Sequence, residues 1–200
     1  MNFLDEFGLE QNALQQLATA ALAYVSEKSP IAKEIIKSTT EISIQRSSDD
    51  NGENGKYFKS SESVTVMGIP LNTIDVQSTA DDSTGVKNGK GRTIPSGEYT
   101  GTLLNKSGSY VNAISITGNG VSESEAVLAH PNSKTAKGAT TEYANGTRPF
   151  SLACQISHLD DFNEVTKILT DIGFEYGSGN KAWSKGDTIK IVIESPKKYK

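Results

Sequence analysis

The residues with the most reactive side chains are concentrated in one stretch, between positions 130 and 158. It contains the chain's only cysteine, Cys154, and both of its histidines, His130 and His158. A thiol near a histidine is a candidate nucleophile, because imidazole can accept the thiol proton and favour the thiolate. The alternative is a cysteine that packs as a small hydrophobic residue, since free cysteine is among the most buried residue types. Residue types alone leave both interpretations open.

The two histidines differ in how they would reach the thiol. His130 follows the apolar run 126–129 and precedes Pro131, which predicts a position at a strand terminus with an exposed side chain. His158 lies four residues after Cys154, so a helix would bring the two together. A strand would instead leave them on one face but about 13 Å apart. His158 also precedes an acidic helix start, which favours a capping or surface role, so His130 is the preferred base.

Substrate and metal binding are less strongly indicated. Arg148 is a candidate for holding a substrate carboxylate through two hydrogen bonds, and Asn132 is a weaker candidate for substrate binding. A single cysteine excludes an intramolecular disulfide and a cysteine-based zinc site. The acidic residues at 160, 161 and 164 are better explained by the start of a helix than by calcium binding. We therefore expect neither a metal nor a cofactor.

Length and charge narrow the class of protein. The 200 residues suffice for one principal domain, and the net charge of −4 with scattered basic residues argues against nucleic acid as a partner. No apolar run is long enough to cross a bilayer, and the first residues lack the basic start of a secretory signal. We expect a protein that is synthesised in the cytoplasm and has no membrane span.

The first forty residues have the periodicity of helices. Apolar residues recur at three- and four-residue steps, which predicts a helix from about Asp5 to Glu27. Pro30 predicts the start of a short second helix from Ile31 to Lys37. We interpret residues 1–40 as a helical extension that packs on the main body. The alternative is that this extension docks a delivery or immunity protein.

Residues 41–200 change to a period of two, which is typical of half-buried strands. A helix predicted for 159–172 follows the cysteine, and Gly173 stops it. The predicted strands lie at 41–46, 63–67, 71–76, 93–104, 111–116 and 188–194. Polar loops are expected at 47–55 and 81–92. This order predicts an α+β fold, with a mainly antiparallel β sheet or barrel, an N-terminal helical extension and a helix after the cysteine.

Three segments resemble the catalytic domain of L,D-transpeptidases, and in particular small relatives of phage and secreted-effector type. They are the Ile-Pro-Ser-Gly-Glu-Tyr sequence at 94–99, the apolar run that ends in His130, and Ser-Leu-Ala-Cys at 151–154 followed by an acidic helix. The resemblance covers roughly residues 42 to 172. It implies the fold of that family for residues 41–200.

The resemblance also implies roles for individual residues. Cys154 would be the nucleophile, His130 the upstream histidine, and Ser151 the hydroxyl residue three positions before the cysteine. Leu152 stands where the family usually has its base histidine, and Ala153 where it has glycine. His130 or His158 would therefore have to serve as the base.

The function implied by the resemblance is cysteine-dependent acyl transfer or hydrolysis on the stem peptides of peptidoglycan. A protein of this kind would reach the periplasm or cell wall after phage lysis or by non-classical export. Two alternatives are a non-catalytic interaction or structural module that retains the fold, and a toxin-type hydrolase of another amide or ester.

Overall fold

The computed structural model describes residues 11–50, 57–79, 94–105, 112–123, 127–131, 154–178 and 183–194. Three helices and nine strands lie in these ranges. The helices are α1 (Gln11–Lys28), α2 (Pro30–Ser38) and α3 (Leu159–Asp171). The strands are β1 (Thr40–Asp50), β2 (Tyr57–Val66), β3 (Ile69–Pro70), β4 (Ile74–Thr79), β5 (Gly97–Asn105), β6 (Asn112–Thr117), β7 (Leu128–Pro131), β8 (Gln155–Ser157) and β9 (Ser184–Glu194).

Eight of the strands close into a barrel. The order across the sheet is β1-β9-β5-β6-β7-β8-β4-β2-β3, and β1 also pairs with β2, so the ring closes and β3 remains outside it. The pairs β1–β9 and β7–β8 are parallel, and the other described pairs are antiparallel. The predicted α+β class with a mainly antiparallel β barrel is therefore confirmed.

The barrel interior is filled mainly by isoleucine. Ile44, Ile114 and Ile191 are completely buried, as the alternation of each strand predicts for its inward face. Gly101 on β5 makes their approach possible, because a Cβ there would lie 2.7 Å from Ile191 and 2.9 Å from Ile114. An eight-stranded barrel is narrow enough to be filled by its own side chains in this way.

The helices gather at one end of the barrel. One residue separates the end of α2 from the start of β1, and one residue separates the end of β8 from the start of α3. Helix α3 packs on the barrel through a buried apolar face, and Ser26 on α1 donates a hydrogen bond to the carbonyl oxygen of Ile172 at 3.0 Å. Gly173, with φ of +103°, follows α3, which confirms the predicted stop. None of the helices in the described part of the chain is long and apolar enough to span a membrane.

Several predicted boundaries are wrong. Residues 47–50, assigned to a polar loop, belong to β1, because pairing with β2 carries the strand as far as Asp50 opposite Phe58. The fourth strand begins at Ile74 and not at Leu71. In contrast, the second helix, Pro30–Ser38, agrees with its prediction within one residue at each end. Ser29 caps it by accepting a hydrogen bond from the Ala32 N–H at 3.2 Å. The predicted helix start before residue 11 and the loop at 81–92 lie outside the described residues.

Candidate functional site

Cys154 and His130 lie on the same face of two neighbouring strands. Strands β7 and β8 are parallel, with His130 opposite Ile156 in the register. Cys154 comes two residues before Ile156, so the period of two places its side chain on the side that His130 occupies. Ala129, the neighbour of His130, pairs with Ile114 of the barrel core and faces inward. His130 and Cys154 therefore face the outside of the barrel.

Strand geometry sets their separation. A spacing of about 4.8 Å between strands and an offset of two residues along them give a Cα–Cα distance of about 8 Å. Side chains at a diagonal separation of this size are within reach of an aromatic ring. The register thus brings together the thiol and the histidine that the sequence selected as its base.

His130 differs from its prediction in exposure. It lies inside β7 and not at its terminus, and only 7% of its surface is exposed. The expected sheet edge is absent, because β7 has β6 on one side and β8 on the other in the closed barrel. Its ring Nδ1 lies 2.7 Å from the carbonyl oxygen of Pro131. Because a carbonyl oxygen only accepts, Nδ1 carries the hydrogen, and Nε2 holds the lone pair when the ring is neutral.

Cys154 packs on a small apolar cluster that is separate from the main core. The half-buried thiol contacts a cluster formed by Leu104, Ala113 and Leu128 on β5, β6 and β7. Ala129 lies opposite Gln155 in these parallel strands, so the preceding residues, Leu128 and Cys154, lie side by side. The cluster fixes the position of the thiol, and it also fits a cysteine that serves only for packing.

A groove of about 180 Å³ adjoins this cluster, and Leu104 and Leu128 form part of its wall. Trp183 lies across the groove with a backbone φ of +69°, a left-handed conformation that is uncommon for a bulky residue. An ion pair of 2.7 Å between Lys185 and Glu123 lines another part. The volume is below the roughly 300–1,000 Å³ of sites for drug-sized ligands, so it suits a single side chain or acyl group.

Of the remaining candidate residues the structure describes His158, which is not brought to the thiol. Ser151, Arg148 and Asn132 lie outside the described residues. His158 occupies the N-cap position of α3 without a side-chain capping hydrogen bond, and its Nδ1 lies 4.0 Å from Asp160 Oδ2. Because β8 is extended between Cys154 and His158, the two Cα atoms are about 13 Å apart by the strand rise.

A second set of polar residues lies inside the barrel, and residue types alone did not select it. Arg46, Ser60, Glu62 and Gln155 are each at most 6% exposed. Burial raises the pKa of Glu62 to about 7 and lowers the pKa of Arg46 to about 10. The alternation of β2 could have indicated the inward position of Glu62, because alternate residues of a strand share a face and Glu62 alternates with Val64 and Val66.

Metal binding finds no support within the described ranges, where no three His, Cys, Asp or Glu side chains are grouped so as to hold an ion. Comparison of the chain with protein-family models, with curated proteins and with solved structures finds no match. The function is therefore argued from the site itself and from the sequence resemblance.

Proposed function

We propose that this protein is a cysteine acyltransferase or hydrolase of the L,D-transpeptidase type that acts on peptidoglycan stem peptides. Cys154 is the nucleophile and His130 is the base. The observation that carries the proposal is the β7–β8 register, which places both side chains on the outer face at a Cα–Cα distance of about 8 Å. The segments resembling L,D-transpeptidases add the class of substrate.

The geometry suggests how the two residues divide the chemistry. His130 Nε2 accepts the thiol proton, while the hydrogen bond from Nδ1 to Pro131 orients the ring. The thiolate attacks the amide carbonyl, the C–N bond breaks, and the leaving amine takes the proton back from His130. Water or a second amine then releases the acyl group from sulfur.

The roles of the other predicted residues extend this scheme. A backbone amide near Cys154 stabilises the oxyanion, and Ser151, three positions earlier in the sequence, is the hydroxyl residue of the motif. Arg148 holds a substrate carboxylate, and Asn132 contributes to substrate binding. These roles follow from residue type and from the resemblance.

The proposal places the site of action in the periplasm or cell wall, after synthesis in the cytoplasm and release by phage lysis or non-classical export. Helices α1 and α2 would dock a delivery or immunity protein on the way. Their exposed apolar residues support a docking role, since Leu17, Tyr24 and Ile31 are 63%, 64% and 75% exposed.

Analysis of muropeptides by mass spectrometry tests the activity. Purified protein incubated with isolated peptidoglycan is expected to change the length or cross-linking of the stem peptides. Cys154→Ala and His130→Asn should abolish or strongly reduce the change, whereas the surface variant Thr170→Ala, on the exposed side of α3, should retain it. Products that are identical for wild type and Cys154→Ala would exclude the proposed catalysis.

Thiol reactivity tests the pairing without a substrate. Alkylation of Cys154 by iodoacetamide across neutral pH should be faster than that of a model thiol, because His130 favours the thiolate. His130→Asn should remove this advantage, while His158→Asn should keep it. A wild-type rate no faster than the model thiol would count against an activated nucleophile.

The packing of Cys154 on Leu104, Ala113 and Leu128 favours one second candidate, a non-catalytic interaction module that binds the wall. Under this alternative, wild type and Cys154→Ala sediment equally with isolated peptidoglycan and neither alters its muropeptides. Loss of product formation with retained sedimentation in Cys154→Ala would instead support the enzyme.

A further inference from the structure

The inward face of β2 carries a carboxylic acid in apolar surroundings. Glu62 lies opposite Ile44 on β1 and Ile74 on β4, and Val64 follows it on the same face. Its side chain is 2% exposed, and among the described residues its Oε1 finds no hydrogen-bond partner. An ionised carboxylate in such a place is costly, so burial raises the pKa of Glu62 to about 7.

Among the described side chains of the neighbouring strands, charged groups do not offset this cost. On β1 the inward cation is Arg46, whose Nη2 donates to the carbonyl oxygen of Ile94 at 2.5 Å. Burial lowers the pKa of Arg46, and the charge of Tyr99 on β5 partly opposes this decrease. On β4 the residue next to Ile74, Asp75, is exposed and faces outward. Within the described ranges, burial is the cause that raises the pKa of Glu62.

The α3 end of the barrel approaches Glu62 from a third side. Helix α3 contacts β2, and its buried side chains are all apolar. Its charged residues are exposed or half-buried: Asp160, Asp161, Glu164, Lys167 and Asp171. After the helix comes Tyr176, whose phenol lies 3.4 Å from Thr166 Oγ1. Burial raises the pKa of Tyr176 well above its usual range, and the charge of Glu62 adds to the increase, so the phenol faces Glu62 as a neutral group.

We propose that Glu62 is a proton-operated latch: α3 and residues 172–178 close fully over the barrel while Glu62 is protonated, and they loosen when it loses its proton. The opposite wall of Glu62 consists of paired strands, which cannot admit water without losing hydrogen bonds. The α3 end is held by side-chain packing, so it is where water can enter to solvate the carboxylate.

The pH dependence has a defined sign. Below the ordinary Glu pKa of 4.5 the group is protonated in both states and costs nothing. Between 4.5 and about 7 the unfolded chain ionises while the folded chain does not, so stability falls as pH rises. Above about 7 both states are ionised, and the loss reaches a plateau.

Chemical denaturation at a series of pH values compares wild type with Glu62→Gln, which keeps the shape and removes the charge. The folding constant of wild type, divided by that of Glu62→Gln, should fall on the order of a hundredfold between pH 4.5 and 8. Glu164→Gln, the same change at an exposed position of α3, should follow wild type. A ratio that does not change with pH would overturn the proposal.

Hydrogen exchange locates the loosening. Between pH 6 and 8, after correction for intrinsic rates, α3 amides should lose more protection in wild type than in Glu62→Gln, while β5 and β6 amides should not. Equal loss along the whole chain would contradict a local latch. An NMR titration of the Glu62 carboxyl in wild type needs no variant, and a midpoint near the ordinary 4.5 would overturn the proposal.

Discussion

The inner and outer faces of the barrel hold their reactive or ionisable side chains in different surroundings. On the inner face Glu62 and Arg46 are buried among isoleucines, and burial shifts both pKa values toward neutrality. On the outer face, beside His130, Cys154 packs on a small apolar cluster that adjoins a groove. The Cys154 side chain is half-buried, whereas Glu62 and Arg46 are 2% and 3% exposed. The two proposals assign the faces different tasks, chemistry outside and control of closure inside.

The faces differ as much in packing. The inner cluster joins residues of the barrel strands, α2 and α3 into one core. The outer cluster consists of Leu104, Ala113 and Leu128, with Cys154 packed against it. Because destabilisation by a truncated side chain grows with the cavity that remains, inner truncations should cost more than outer ones.

The largest effect is expected inside the barrel. Ile191→Ala removes a fully buried side chain that fills the space beside Gly101, where nothing else can replace it. The free energy of unfolding should fall by about 3–5 kcal/mol. Urea denaturation should show a lower midpoint with an unchanged slope. Ile31→Ala on α2, where the side chain is 75% exposed, is the control and should change stability by less than about 0.5 kcal/mol.

An outer-face truncation is expected to cost less. Leu128→Ala should lower the free energy of unfolding by about 2 kcal/mol, the lower end for such a change, because the adjoining groove lets its surroundings collapse. It should also increase the alkylation rate of Cys154, since Leu128 covers one side of the thiol. The same urea titration measures the first effect and mass spectrometry the second. A loss equal to that of Ile191→Ala would remove the distinction between the two clusters.

Local patterns predicted most of the elements. Alternation located the strand that contains Ile42 and Ile44, and the spacing of Phe162 and Val165 located α3. Residue type alone selected Cys154, and the β7–β8 register then placed His130 beside it. Strand β8 has three residues, too few for any period to show. Barrel closure and the parallel pairing of β1 with β9 depend on contacts distant in sequence, which no local pattern specifies.

The inner polar residues were missed for a different physical reason. Around Ser60 and Glu62 the residues on both faces of the strand are polar, so the sequence resembles that of an exposed strand. The shared spacing with Val64 and Val66 indicated the inward face, but the burial of Glu62 depends on the pairing of β2 with β1 and β4, which places Ile44 and Ile74 on either side of it. Exposure of His130 was mispredicted for the same reason, since the absence of a sheet edge beside β7 is a property of the closed ring.

The smallest effect is expected for an ion pair on the outside of the molecule. Lys37 on α2 donates to Asp187 on β9 at 2.8 Å, and Asp187 also accepts from the Glu175 N–H at 2.7 Å. Burial alone would raise the pKa of Asp187, but the hydrogen bonds from Lys37 and Glu175 outweigh it and hold the pKa below 3.8. Lys37→Met removes the charge and with it the cation–π contact of the ammonium, whose Nζ lies 5.4 Å from the centre of the Phe174 ring.

Lys37→Met should reduce stability at pH 7 by less than about 1 kcal/mol, since both partners are partly exposed and the pair is screened by salt. A lowered carboxylate pKa contributes stability that is complete above the unfolded value and is lost as pH falls through the folded value. The difference between wild type and Lys37→Met should therefore shrink as the pH falls below 3.8. The inner Glu62 has the opposite sign, because its cost appears as pH rises above 4.5. Urea titrations from pH 3 to 8 separate the two contributions, and a Lys37→Met difference that is constant over this range would show that Asp187 does not depend on the lysine charge.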